Sequence, residues 1–224
     1  MVKKKVKRIK SKSKTITKKK IFHSTKVKLS AKDFLRLKNP IIALVGEIIF
    51  LVGFLISIIL YNNYSFGMQF ISELGVGTTS IIFNSCIIIA PILMIPFFFF
   101  SKGKNNISQI ASLLGIASAF FLMGVGLFPL TFSNMHLFFA GMFFFSSALT
   151  ALFFSFYYLI SAFEIKQINL FILFLSFIGF CSFIIIVIFL LFFRDPLWQK
   201  ISVFVFFLWL LFFIIGNYFR CLSK

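Results

Sequence analysis

Ser72 and His136 are the two side chains from which this sequence could assemble a nucleophile and its base. Glu73 adjoins the serine, and Asn84 adds an amide. A serine hydroxyl attacks a carbonyl only when a base takes its proton, and imidazole is the usual base. Two features weigh against a hydrolase. Adjacent Ser72 and Glu73 would both have to serve one histidine, and the Gly-x-Ser-x-Gly elbow that exposes a nucleophilic serine is absent. One histidine and one nearby glutamate also fall short of the three protein ligands of a catalytic zinc. Ser72, Glu73, Asn84 and His136 therefore read as a candidate ligand pocket, with no catalytic residue, metal or cofactor assigned. An intramembrane hydrolase using Ser72 and His136 is the alternative.

Whatever holds these residues must do so inside a membrane. Hydrophobic residues make up 60% of the chain, against ~45–50% in soluble domains. Six apolar runs are long enough to cross a bilayer, which takes ~20 residues of helix. They are 40–61, 79–100, 107–130, 136–161, 168–193 and 201–219. The expected fold is an all-α polytopic bundle of six transmembrane helices over residues 40–220, with a basic N-terminal tail. Asn39 and Pro40 are suited to cap and begin the first span. Thr78, Thr79 and Ser80 offer similar caps to the second, and Pro91 and Pro96 are expected to kink it. The 38 Phe residues read as lipid-compatible surface.

Charge orients the bundle. Of the 23 Lys and Arg residues, 16 precede Pro40. Positive loops stay cytoplasmic, so both termini are expected in the cytoplasm, with the first span as an uncleaved anchor in the cell membrane. Arg194–Lys200 is the one basic loop on the opposite side, where Asp195 offsets part of its charge and Trp198 suits the interface. Residues 1–28, rich in Lys, Ser and Thr, read as a disordered tail. Residues 29–39 read as a short interfacial helix, in which Lys32, Arg36 and Lys38 meet anionic headgroups. Nucleic acid is disfavoured as a partner, because no aromatic residues alternate with the tail's charges.

The long outer segment 62–78 carries Ser72 and Glu73 on an expected turn of helix, and Gly75 and Gly77 then bend the chain into span two. Asn84 lies roughly 8 Å below the outer end of that span. His136 opens span four at the same leaflet. Glu47, an intramembrane acid in span one, is a functional candidate by default; a small transporter using it is a further alternative. Small residues should bring helices together. Ala111, Gly115 and Ala119 on span three and Ser147, Ala151 and Ser155 on span four predict that these two spans pack closely. Cys86 and Cys181 read as core residues, and Cys221 lies just past the last span.

Four segments together carry a resemblance: Ile71-Ser72-Glu73-Leu74-Gly75, Phe83-Asn84, Gly124-Val125-Gly126-Leu127-Phe128-Pro129, and His136. In order and spacing they resemble the family catalogued as "domain of unknown function 998", over about Glu47 to Arg220. The resemblance implies a six-span prokaryotic membrane protein without an established activity. That family is similar in layout to the Frag1/DRAM/Sfk1-like six-span proteins, which are linked to lipid organisation. The expected function is a non-catalytic membrane module whose outer-leaflet pocket binds a lipid or small ligand.

Overall fold

A computed structural model describes residues 31–103, 105–164, 170–192 and 194–222. The tail 1–28 lies outside them, as do the side chains of Lys32 and Arg36. Six helices among the described residues are long and apolar enough to cross a membrane. They are α1 (Ala31–Leu60), α2 (Ser80–Ser101), α3 (Asn106–Leu127), α4 (Ser133–Glu164), α5 (Leu170–Leu191) and α6 (Pro196–Leu222). Two 3₁₀ turns, Ile71–Gly75 and Gly77–Thr79, follow α1, and a third, Leu130–Phe132, precedes α4.

Each helix packs on its chain neighbour, and α6 returns to α1 to close a ring. Phe50 stacks on Phe207 with ring centroids 4.1 Å apart and Phe54 meets Phe204 edge to face at 5.3 Å, a pairing that sets α1 and α6 antiparallel. The two chain-terminal ends therefore share one end of the bundle. The long segment 61–79 closes the other. Large apolar side chains such as Ile59, Ile81, Leu113, Leu137 and Leu170 remain exposed around the outside. A soluble monomer does not expose so much contiguous apolar surface; hydrocarbon accepts it.

Lipid tails are as apolar as these side chains, so close packing and hydrogen bonds hold the helices together. Much of the phenylalanine is interior rather than lipid-facing surface. Phe54, Phe97, Phe154, Trp209 and Phe213 are almost fully buried. Phe154 lies 4.4 Å from Phe213, and Trp209 stacks on Phe213 at 5.3 Å. Such pairs add ~0.5–1.5 kcal/mol each beyond their burial.

Several sequence expectations need correction. Helix α1 does not start at Asn39; it runs from Ala31 through Pro40. The carbonyl that Pro40 leaves unbonded belongs to residue 36, near the end of the bundle, where other partners can reach it. Of the expected interfacial helix 29–39, residues 31–39 form the first part of α1, and 29–30 lie outside the described residues. Thr79 and Ser80 do not cap α2. Their hydroxyls donate backwards instead, to Leu74 O and Gly77 O, each at 2.7 Å. Helix α6 begins at Pro196, not Ile201, because Asp195 caps it by accepting from the N–H groups of Leu197 (2.9 Å) and Trp198 (3.0 Å). Helices α3 and α4 do pack together, but through Ser118 and Ser147, whose hydroxyls are 2.7 Å apart, and through Phe139 lying on Gly124. Of the residues expected to join them, Ser147 does so, while Gly115, Ala151 and Ser155 face other neighbours. Gly115 receives the Phe98 ring of α2, while Ala151 and Ser155 abut Gly179 of α5.

Candidate functional site

The segment between α1 and α2 folds inward over the bundle axis. Asn63 turns it with φ 59, a left-handed conformation that asparagine tolerates. Ser65 N–H donates to Gln69 Oε1 at 2.7 Å, and Gln69 N–H to Ser65 O at 3.1 Å. The 3₁₀ turn Ile71–Gly75 follows. Apolar Ile71 and Leu74 point into the bundle, and Leu74 is completely buried. Gly77, at φ +75, lets the chain leave the turn and enter α2.

The bundle holds this turn through side chains. Gln199 Oε1 on α6 accepts from Ile71 N–H at 2.7 Å. The next residue, Lys200, is fully buried and donates its ammonium to Gln69 O and, at 3.3 Å, to Pro196 O. Its charge sits 5.0 Å from the centre of the Phe66 ring and 5.5 Å from that of Tyr64. Such cation–π placement offsets part of the cost of burying an ammonium. Asn84 on α2 donates to Gly75 O at 2.9 Å.

Beneath the turn lies a cavity of about 50 Å³. Ser72, His136 and Gln199 line it, each from a different element, together with the rings of Phe50, Phe143 and Phe207. His136 Nδ1 lies 2.8 Å from Phe128 O. A carbonyl can only accept, so Nδ1 carries the hydrogen, and in the neutral ring Nε2 keeps its lone pair. Among the described residues, no protein partner is bonded to Ser72 Oγ, His136 Nε2 or Gln199 Nε2. Residues bearing a hydroxyl, a ring nitrogen and an amide with spare hydrogen-bonding capacity therefore border a cavity whose wall is almost wholly apolar.

The residues singled out in the sequence divide into two groups. Ser72 and His136 reach the same cavity. Glu73 and Asn84 do not line it. Glu73 Oε1 accepts Phe70 N–H at 2.8 Å and so caps its own turn, while Asn84 clamps Gly75. Gly75 and Gly126 both face Asn84; a Cβ on them would stand 2.6 Å from its Oδ1 and 3.0 Å from its backbone oxygen. Pro129 opens the 3₁₀ turn Leu130–Phe132 that leads the chain to His136.

Glu47 lies one turn from Phe50 towards the terminal end, buried, with one carboxylate oxygen unpartnered among the described residues. It falls on the same stripe as Asn39, Ala43, Phe50, Phe54 and Ser57 and does not line the cavity. Lys38 is exposed at the start of that stripe. No group of three His, Cys, Asp or Glu side chains suited to a metal occurs among the described residues.

The expectation of a loop over Arg194–Lys200 hides Gln199 and Lys200, which lie in α6. The signal was present in Asp195-Pro196, a capping residue followed by a proline at the first helical position. It places Gln199 and Lys200 near the start of α6.

Comparison with known proteins supplies the family and little else. No curated protein and no solved structure matches the chain. The family model described as "Protein of unknown function (DUF998)" matches residues 44–216, and the chain, a six-helix membrane protein, belongs to that family.

Proposed function

We propose that the protein is a non-catalytic module of the cell membrane that binds a lipid or small ligand in its axial cavity. Both termini face the cytoplasm in this reading, so the cavity opens from the outer leaflet. The basic tail, with Lys32, Arg36 and Lys38, meets anionic headgroups of the inner leaflet. One observation carries the proposal. Ser72, His136 and Gln199, from three separate elements, border one cavity with almost wholly apolar walls, and each has hydrogen-bonding capacity that no described residue uses. An apolar space with a few convergent polar groups is the usual design of a ligand site. At about 50 Å³ the closed cavity has room for a few waters.

Native mass spectrometry of the protein released from nanodiscs tests this. A retained lipid or small molecule is expected. Ser72→Ala and Gln199→Leu are each expected to weaken retention about fivefold, the effect of one hydrogen bond at ~1 kcal/mol. Retention unchanged in both variants counts against the proposal.

A hydrolase is the second reading, favoured by the shared cavity of Ser72 and His136 and by the Phe128 carbonyl that fixes the imidazole tautomer. Against it, no hydrogen bond joins Ser72 Oγ to the imidazole among the described residues. Labelling of Ser72 by a fluorophosphonate, abolished in His136→Ala, would establish the hydrolase and displace the binding module.

A further inference from the structure

Glu47 plays no part in the cavity and pairs with nothing described in the bundle. We infer that it is a proton-binding site, standing in the membrane interior as the neutral carboxylic acid with one exchangeable proton as its ligand. The site is separate from the cavity and stands whether or not the binding reading above holds.

The chain isolates this acid. Among the described residues between Pro40 and Gln199, every other Asp, Glu, Lys or Arg lies between helices or at a helix end. Glu47 lies within the membrane-crossing stretch Lys38–Leu60, nine residues after its start and thirteen before its end. At 1.5 Å per residue it is roughly 13 Å from one end of that stretch and roughly 20 Å from the other.

Packing then surrounds it with groups that cannot pair a charge. The side chain is 8% exposed, and its Oε2 is buried with no hydrogen-bond partner among the described residues. The adjoining Gly46 lies against Ala90 O and Leu93 Cβ of α2. The pairing of Phe50 with Phe207 and of Phe54 with Phe204 carries Glu47 to the level of Leu210 on α6. Asn39 and Ser57, on the same buried stripe of α1, are roughly 12 and 15 Å along the helix, and each is itself unpartnered.

Helix α1 packs on α2, on α6 and on the 3₁₀ turns Ile71–Gly75 and Gly77–Thr79. Their titratable side chains stand at other levels. Cys86 of α2 lies against Gly53, six residues further along α1. Glu73 and Lys200 belong to the end closed by segment 61–79, where Glu73 accepts Phe70 N–H and Lys200 bonds Gln69 O. Tyr218, Arg220 and Cys221 belong to the terminal end of α6, where Arg220 lies 5.2 Å from the centre of the Tyr158 ring. Lys38, on α1 itself, is exposed at the start of the stretch.

A carboxylate buried without a countercharge bears the full cost of leaving water. It also needs hydrogen-bond donors, and the N–H groups of the surrounding helices are already spent on their own backbones. A carboxylic acid needs an acceptor for one hydrogen, and each helix carbonyl keeps a second lone pair. The site therefore favours the protonated form on two counts, charge and hydrogen bonding.

Infrared spectroscopy of the protein at neutral pH tests this, in dodecyl maltoside, which has no carbonyl of its own. The C=O stretch of a protonated carboxyl stands apart from carboxylate and amide bands. Wild type is expected to show it, Glu47→Gln to lose it, and Glu73→Gln and Glu164→Gln to keep it. Isotopic substitution at the glutamate carboxyls of wild type is expected to lower its frequency. With the Glu73 and Glu164 variants, that shift assigns the band even if Glu47→Gln fails to fold. Deuterium oxide is expected to lower it further as a deuteron replaces the proton. A wild-type spectrum without the band, or a band that survives in folded Glu47→Gln, would overturn the inference. A band unmoved by deuterium oxide would mean a sealed acid and would overturn the binding site.

Discussion

Tyr64 shows how far a single side chain can be read. Its hydroxyl is buried without a partner among the described residues, while its ring faces the Lys200 ammonium. Burial, then the negative charge of Glu73, then Tyr61 push its pKa from the ordinary 10.0 up to about 12. Folding thus favours the neutral phenol. The folded pKa is the higher one, so this contribution to stability is intact below pH 10.0 and is lost as pH climbs towards 12. In an ultraviolet titration of the five tyrosines, Tyr64 is expected to ionise late, and Tyr64→Phe to remove a component near pH 12. A titration curve unchanged by Tyr64→Phe would contradict the burial of this hydroxyl. None of this was legible in the sequence, where Tyr64 is one more aromatic residue in a loop. Ser72 and His136 stood out because a hydroxyl and an imidazole near apolar runs are conspicuous. Gln199 was missed because an amide is informative only once the helix that aims it has been placed.

Between elements, contact is set by residues too small to notice singly. Gly179 of α5 is the sharpest case. A Cβ there would collide with Ser155 Oγ of α4 and stand 2.7 Å from Trp209 Nε1 of α6. Three helices meet at this point, so none can give way without moving another. Gly179→Ala is expected to cost about 1–3 kcal/mol and to lower the melting temperature in detergent. Gly141→Ala, where a Cβ meets nothing within 4 Å, is the matched control and should not. Equal melting of the two variants would mean the α4–α5–α6 junction is looser than described. The six helices could be anticipated from hydrophobic runs because a bilayer imposes their length. Their partners could not. The Ala111–Gly115–Ala119 stripe predicts close packing, but whether α2 or α4 fills it depends on a ring of contacts that no local pattern encodes. Asn39 does not cap a helix, whereas Asn105 does: its side chain accepts from Ser108 N–H at 2.9 Å. Both positions hold a capping residue; only the second follows a true break in the chain's helix.

At the scale of the whole molecule, an even number of crossings puts both termini at one end, and charge decides which compartment that end faces. Sixteen of 23 basic residues precede Pro40, and the bias set by positive residues near the first span usually governs insertion. The apparent exception, Arg194–Lys200, weakens on inspection. Lys200 is buried against Gln69 and Pro196 inside the bundle and belongs to α6 rather than to a free loop. Arg194 is followed by Asp195, whose carboxylate caps that helix. What remains at this end is Arg194 alone, against the tail at the other. A fluorescent protein fused at the C-terminus is therefore expected to fluoresce in cells, and an alkaline phosphatase inserted at the unpacked Gly67 to be active. The inverse pattern, with an active phosphatase at the C-terminus and an inactive one at Gly67, would turn the bundle over. The cavity would then open towards the cytoplasm, and its ligand would have to be sought in the inner leaflet.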